Sequence, residues 1–347
     1  MPIKTDLRRI HKLLLILVVP FVLYLMHVLS FIFVPLVFAL FAALFFMPLI
    51  RWFQRRNIPN FLALIVVVAI VGGVLTTGYQ LIKLSGKELT SSKTDFYAKF
   101  DKKLNDIIEP LIEFVGIEAQ EGETDLEALI HSEKFTDNVF GNVGNTVNFT
   151  RKLVTMTLMT IFFMMLLLAG SMNIQQVMDA LIFKQRFRSI RTFMSIEKDL
   201  FKFIVVKVLL SLFTGLGFGL ACYGFGVSFP LFWGLFAFAI NFIQMIGSFI
   251  AVIVLAAFGL VELDQTGTLL GFVLVLTGVQ VVFGAILEPI LMGKSFSINT
   301  VTVLIMLALW GFIWGIPGLI LSIPITALLK KILEQFPGTA VYARIMS

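Results

Sequence analysis

Of 347 residues, 59% are hydrophobic and 14% charged, with a mean hydropathy of +0.98. A soluble chain is nearer half apolar and a quarter charged, and no soluble domain of this size has interior enough to hide the excess, so a cytosolic enzyme, a secreted disulfide scaffold and a disordered chain are excluded. The formal net charge of +6 is not a nucleic-acid surface: residues 85–150 hold 13 of the 21 Asp and Glu against 6 Lys, a net −7, which leaves +13 on the rest of the chain, in short segments flanking apolar runs. What remains is an all-α polytopic membrane protein, because the apolar runs far exceed the roughly 10-residue alternating strands of a barrel.

Lys4, Arg8, Arg9 and Lys12 precede an apolar run from Leu13 to Ile50. That is about twice the roughly 20 residues one span needs. It is too long for the core of a signal peptide and lacks a small-residue cleavage site. It reads as two helices joined by a tight turn near Ser30 to Pro35, since Pro35 does not continue a helix cleanly. Arg51, Arg55 and Arg56 close the run, so both ends of this pair are expected in the cytoplasm. Phe61 to Leu84 is a third span, leading out, and residues 1–84 form the first membrane unit.

Residues 85–150 are the only stretch that reads like soluble protein. Leu104, Ile107, Ile108, Leu111, Ile112 and Val115 recur at helical spacing, which predicts a small helical extracytoplasmic insert. Leu153 to Ala169 then returns inward. Lys184, Arg186, Arg188, Arg191, Lys198 and Lys202 follow, the strongest cytoplasmic signal in the chain. Ile182, Phe183, Phe187, Ile190, Phe193 and Met194 add an amphipathic, interfacial pattern to this 151–202 unit. Span five runs from Phe203 to about Cys222, the single cysteine, which can form no internal disulfide.

The last third, residues 203–335, differs from what precedes it. Phe229 to Val261, about 33 residues, is interrupted by Asn241, Gln244 and Gly247-Ser248. Gly267 to Leu287 is a regular span ending at Glu288-Pro289. Ile298 to Leu329, about 32 residues, is broken by Gly311, Gly315, Pro317, Gly318 and Pro324. Each interrupted run is short for two full spans. Two such segments around a regular helix predict re-entrant hairpins or discontinuous helices whose freed backbone lines a site near the midplane. Lys330-Lys331 places the tail, residues 336–347, in the cytoplasm.

Glu288 is the first candidate for chemistry. A carboxylate in or near hydrocarbon is costly and is expected to face a cavity or a cation; alternatively it caps a turn at the surface near Pro289 and Lys294. Lys207 either snorkels to the headgroups on its four-carbon stem or pairs with Glu288. Asn241 and Gln244, three apart, can point together from one helical face and suit a polyhydroxylated solute or a cation; the alternative is helix–helix glue. Gln280 lies two turns before Glu288 on the same helix. The candidate hinge and break positions are Gly247, Ser248, Pro289, Gly293, Gly315, Pro317, Gly318 and Pro324. Gly215-x-x-x-Gly219, Gly267-x-x-x-Gly271 and Gly311-x-x-x-Gly315 permit close helix approach. Trp310 and Trp314 read as interface anchors. No hydrolase, zinc-protease or P-loop motif occurs, and His11, His27 and His131 are too scattered for a metal site, so neither an enzyme nor a cofactor is expected.

Several motifs carry a family likeness. They are Phe203-x-x-x-Lys207 with Gly215, Trp233-Gly234, Asn241 through Ser248, Glu288-Pro289-Ile290-Leu291-Met292-Gly293, and Trp310-Gly311-x-x-Trp314-Gly315-x-x-Gly318 with Pro324. Across essentially the whole chain the sequence resembles the AI-2E family of bacterial membrane transporters, named for autoinducer-2 export. It departs at Gln244 and Asn299, where the family usually or often has Pro; Gly247 can supply the break after Asn241 instead. The resemblance implies an inner-membrane protein of about eight segments in a homo-oligomer, with a pentamer and an elevator-like motion as the expectation.

The resulting expectation is a secondary transporter that exports a small polar solute, with Asn241, Gln244 and Glu288 facing the site between the broken segments. One alternative is a Na⁺(Li⁺)/H⁺ antiporter exchanging at Glu288. Another is a non-transporting membrane scaffold whose insert and basic stretch 184–202 bind partners. The expected partners are the lipid bilayer, a small polar solute or a monovalent cation or proton, and copies of the chain itself, with no nucleic acid.

Overall fold

The computed structural model describes Leu14 and residues 17–91, 143–171, 186–292, 298–335 and 339–346. Most of the insert (92–142), the N-terminal basic residues, Lys184, Gly293 and residues 336–338 lie outside them, as do the side chains of the amphipathic stretch Ile182 to Met194. Among the described residues the chain is helical, without strands.

Helix α1, Leu17–Val28, is followed after one residue by α2, Ser30–Arg55. The turn expected near Ser30 to Pro35 is therefore at Leu29 alone (φ −92°, ψ 23°), and Pro35 stands inside α2. A single residue suffices because the Met26 carbonyl beside the break accepts the Trp314 indole N–H at 3.0 Å. Helix α3, Asn60–Ser91, and α4, Val143–Ser171, carry span three onward into the insert and span four back from it. Ala39, Ala43 and Ile50 of α2 pack with Ala63 and Val67 of α3 and Met164 and Leu168 of α4.

Helix α5, Arg186–Phe225, is the axis of the molecule. At 1.5 Å per residue its 40 residues span about 60 Å, twice the hydrocarbon thickness of about 30 Å. Its apolar part is Glu197–Phe225. At the Glu197 end it is tied to α2 by Arg51–Glu197 (2.6 Å) and to the last long helix by Lys331–Asp199.

The next two helices, α6 (Pro230–Ile240) and α7 (Ile246–Glu262), form a hairpin. Its two ends meet: the Ser228 hydroxyl, just before α6, donates to Glu262 at the end of α7 at 3.0 Å. At 11 residues α6 is only about 17 Å long, too short to cross. The hairpin therefore enters from the Glu262 side and stops part-way. It is seated by glycines: a Cβ on Gly215 would lie 2.7 Å from the Gly234 carbonyl, and one on Gly234 would lie 2.9 Å from that of Gly215. Lipid tails are as apolar as leucine, so close backbone approach of this kind, rather than water exclusion, holds membrane helices together. Phe218, Cys222, Trp233, Leu255, Phe272 and Leu276 fill the space between α5, both hairpin arms and the following helix.

That helix does not stop at Leu287 as the sequence suggests. Helix α8, Thr266–Gln280, continues through a π-helical stretch, Val281–Leu287, into α9, Glu288–Met292. A second hairpin follows, α10 (Thr300–Trp314) and α11 (Ile316–Gln335), and a short α12, Ala340–Ile345, closes the chain. The second hairpin opens toward the other side. Lys331 of α11 reaches Asp199 at the Glu197 end of α5, and the tip at Gly315 lies by α1, where His27 Nδ1–H donates to the Ile313 carbonyl at 2.8 Å. Among the described residues six helices are long and apolar enough to cross a membrane, accompanied by shorter apolar ones, and the chain is a multi-pass, all-α membrane protein.

Candidate functional site

The turn of the first hairpin occupies Asn241–Met245. Asn241 and Gln244 therefore sit on a turn and not on a helical face. Gly247 and Ser248 stand in the first turn of α7. The turn is tight and strained. Ile246 N–H donates to the Gln244 carbonyl at 2.6 Å across Met245, whose φ of 59° and ψ of −58° are unusual for a residue with a Cβ. Gly247 makes the closure possible, because a Cβ there would fall 1.9 Å from the Ile240 carbonyl oxygen. Strain of this kind persists only where surrounding contacts enforce it, and it concentrates at functional sites.

Those contacts are polar. The Lys207 ammonium donates to Gln244 Oε1 at 3.1 Å and to Glu288 Oε1 and Oε2 at 3.0 and 3.3 Å. Lys207 is 3% and Glu288 6% exposed. Lys207 is thus not a snorkelling residue, and Glu288 is not a surface cap. An unpaired charge at this depth would be prohibitive, whereas an ammonium facing a carboxylate and an amide oxygen is solvated by protein. Glu288 arrives because α8 runs on past Leu287 through the π-helical stretch. The wider π turn re-aims the side chains that follow it, and such turns are frequent at functional sites. Pro289 lies within α9, directly behind Glu288.

A second polar chain adjoins the first. Asn241 Nδ2 donates to Ser211 Oγ at 3.1 Å, the Ser248 hydroxyl donates to Asn241 Oδ1 at 3.4 Å, and Gln280 Nε2 donates to Ser248 Oγ. Asn241 and Gln280 are thus linked through Ser248, and the turn that carries Asn241 also carries Gln244. Ser211 was missed by sequence reasoning. The signal was present: Lys207, Ser211 and Thr214 form a polar stripe at helical spacing through an apolar span.

The second hairpin supplies an apolar wall. Val303, Leu307 and Ile323 pack with Phe203, Val206, Leu210, Ile243 and Met292 around the tip. Its own turn is at Gly315, with φ of 65°. Pro317 and Gly318 fall in the first turn of α11, where a Cβ on Gly318 would lie 1.9 Å from the Trp310 carbonyl oxygen. Pro324 is inside α11. Trp310 and Trp314 are not interface anchors: both are buried, with ring centroids 4.9 Å apart, packing with Val34 and Leu321. The structure thus joins Lys207, Gln244 and Glu288 directly, sets Asn241 and Gln280 beside them, and keeps the second turn with the α1–α2 junction.

Compared with known proteins, residues 13–338 match the profile of the AI-2E family transporters. The AI-2 transport protein TqsA of Escherichia coli (strain K12) is 28% identical over 325 residues, covering 90% of this chain and 89% of TqsA. A protein of Haemophilus influenzae is 26% identical over 318 residues, again covering 90% of this chain and 89% of its own length. YhhT of Escherichia coli (strain K12) is 28% identical over 334 residues, with 92% and 89% covered.

Proposed function

The chain belongs to the AI-2E transporter family, and from that membership we propose that it is a secondary transporter exporting a small polar solute. Autoinducer-2, the cargo in the name of TqsA, is the first candidate. The observation that carries the reading is the Lys207–Glu288 pair bonded to Gln244 on the strained turn of a part-way hairpin. Neither member of such a pair can be left alone in hydrocarbon. A solute hydroxyl that takes over the Gln244 oxygen, or a proton or cation that takes over the Glu288 carboxylate, changes how the turn is held. The first hairpin, which stops part-way, and the second, which opens to the opposite side, supply the elements that such a change would move. We place the protein in the inner membrane with both termini and the Glu197 end cytoplasmic, residues 85–150 outside, and copies of the chain assembled in a homo-oligomer.

The test is efflux from proteoliposomes holding radiolabelled autoinducer-2. Wild type is expected to release it faster than protein-free vesicles, and Glu288→Gln to slow release at least tenfold. Equal release by wild-type and empty vesicles would remove the solute reading. The same Glu288 carboxylate supports a second reading, Na⁺ or Li⁺ exchange against protons. There, vesicles with an imposed pH gradient should take up ²²Na⁺, and Glu288→Gln should abolish that uptake. If neither probe moves, the chain is not acting as a transporter, and the scaffold alternative stands.

A further inference from the structure

Two buried oxygens beside the site have no hydrogen-bond partner among the described residues: Gln280 Oε1 and Thr214 Oγ1. They lie on α5 and α8, each between two contacts that join those helices. Just below, Phe213 stacks on Phe283 with centroids 5.8 Å apart; just above, Gly217 abuts Val279, where a Cβ would lie 2.7 Å from a valine methyl. Thr214 is 1% exposed. A buried oxygen without a partner forfeits a hydrogen bond it would have in water, so its presence calls for an explanation. The Gln280 amide is also held in a fixed orientation. Its nitrogen donates to Ser248, which is bonded to Asn241 on the hairpin turn, and this aims the acceptor oxygen away from that chain.

The orientation depends on a residue with no side chain. A Cβ on Gly284, in the π-helical stretch, would lie 2.6 Å from Gln280 Nε2 and 3.8 Å from Ser248 Oγ. The Gln280 amide folds across its own helix through the space this glycine leaves. The atom in the way is the far end of a flexible side chain and not backbone, so Gly284→Ala displaces the amide at little cost to the fold.

We propose that Gln280 Oε1 and Thr214 Oγ1 form a second subsite of the transported solute, one that takes hydroxyl or N–H donors, with Gly284 as its positioning residue. This rests on the solute-transport reading above. The Gln280 oxygen only accepts, while the Thr214 hydroxyl accepts and donates, so at the Gln280 oxygen the subsite favours a neutral, donor-bearing group over a carboxylate or phosphate. It also assigns the two polar chains separate tasks: Lys207, Gln244 and Glu288 respond to charge, while Gln280 and Thr214 select among hydroxylated solutes.

The experiment compares efflux of autoinducer-2 with that of an analogue lacking one hydroxyl, in proteoliposomes of wild type, Gln280→Leu, Thr214→Val and Gly284→Ala. Wild type should discriminate against the deoxy analogue. Gln280→Leu and Thr214→Val should raise the apparent KM for autoinducer-2 about tenfold with Vmax within about twofold, and should lose that discrimination. Gly284→Ala should raise KM about threefold, at an unchanged melting temperature. A merely structural role would lower transport of both solutes alike. Unchanged discrimination in Gln280→Leu and Thr214→Val, with wild type transporting normally, overturns the subsite alone. Absence of wild-type transport of either solute overturns the solute reading and the subsite with it.

Discussion

Lys207 and Glu288 are 81 residues apart in the chain, and their ammonium and carboxylate meet at 3.0 Å inside an apolar bundle. The relationship has an asymmetric energetic consequence. Removing one partner strands the other charge, which costs about 3–5 kcal/mol, whereas removing both together costs much less. Lys207→Met should therefore lower stability by about that amount, and Lys207→Met with Glu288→Gln should recover most of it. Thermal and denaturant unfolding in detergent would measure the cycle. Strictly additive losses would mean the two groups do not depend on each other.

The strained turn makes a separate prediction. Met245 holds φ of 59° and ψ of −58° beside Gln244. Glycine adopts such angles freely but loses more entropy on folding. A single strained residue costs about 1–3 kcal/mol, and glycine's entropic penalty is about 0.5–1 kcal/mol. Met245→Gly should thus be neutral to stabilising, while Met245→Val, branched at Cβ, should destabilise by about 2 kcal/mol. If the turn angle governs the site, Met245→Gly will also change efflux while leaving the melting temperature level or higher. A Met245→Gly variant that melts well below wild type would show that the turn is not strained.

The glycines divide into two classes with opposite expected outcomes. A Cβ on Gly247 or Gly318 would lie 1.9 Å from a carbonyl oxygen of the opposing hairpin arm, and backbone cannot swing aside. Gly247→Ala and Gly318→Ala should each cost several kcal/mol, on the order of 3 or more, by forcing a hairpin open. Gly278 and Gly224 have nothing within 4 Å of an added Cβ. Alanine there should be neutral or stabilise by up to about 1 kcal/mol through helix propensity. Melting temperatures of the four alanine variants, each compared with wild type, would separate the classes; equal effects would sink the hairpin geometry.

These contrasts show what was legible in the sequence and what was not. The fold class followed from composition, because a chain this apolar has no other way to satisfy its backbone. The two interrupted segments were visible as runs too short for two spans. The break at Gly315 and the interruption at Asn241 and Gln244 were visible too, but the residues that carry the other turns were not. Leu29 carries no turn signal, and Met245 takes the positive φ one would assign to Gly247. Lys207 and Glu288 stood out as charges in apolar surroundings, but whether they met depended on the helix continuing beyond Leu287 in π form. Seven apolar residues, Val281–Leu287, give no local hint of that. Likewise Trp310 and Trp314 have the composition of interface anchors, and only packing against α2 shows them buried. Local chemistry marked the residues; the register of long helices decided which of them touch.

At the Glu197 end, α5 is held by two ion pairs that should respond differently. Glu197 is buried while its partner Arg51 reaches solvent; in Lys331–Asp199 both side chains are partly exposed. Arg51→Ala strands a buried carboxylate and should cost about 2 kcal/mol, below the cost of breaking a fully buried pair because the arginine already shares its charge with water. Asp199→Asn removes a pair that water and salt already screen, and should cost less than about 1 kcal/mol. Raising the salt from 0.05 to about 0.5 M shortens the screening length severalfold. It should erase the Asp199→Asn effect and leave most of the Arg51→Ala effect. The measurement is the melting temperature of each variant relative to wild type across that salt series. Equal salt sensitivity in the two variants would mean that the Glu197 carboxylate is in contact with water and that the α2–α5 contact is looser than the structure has it.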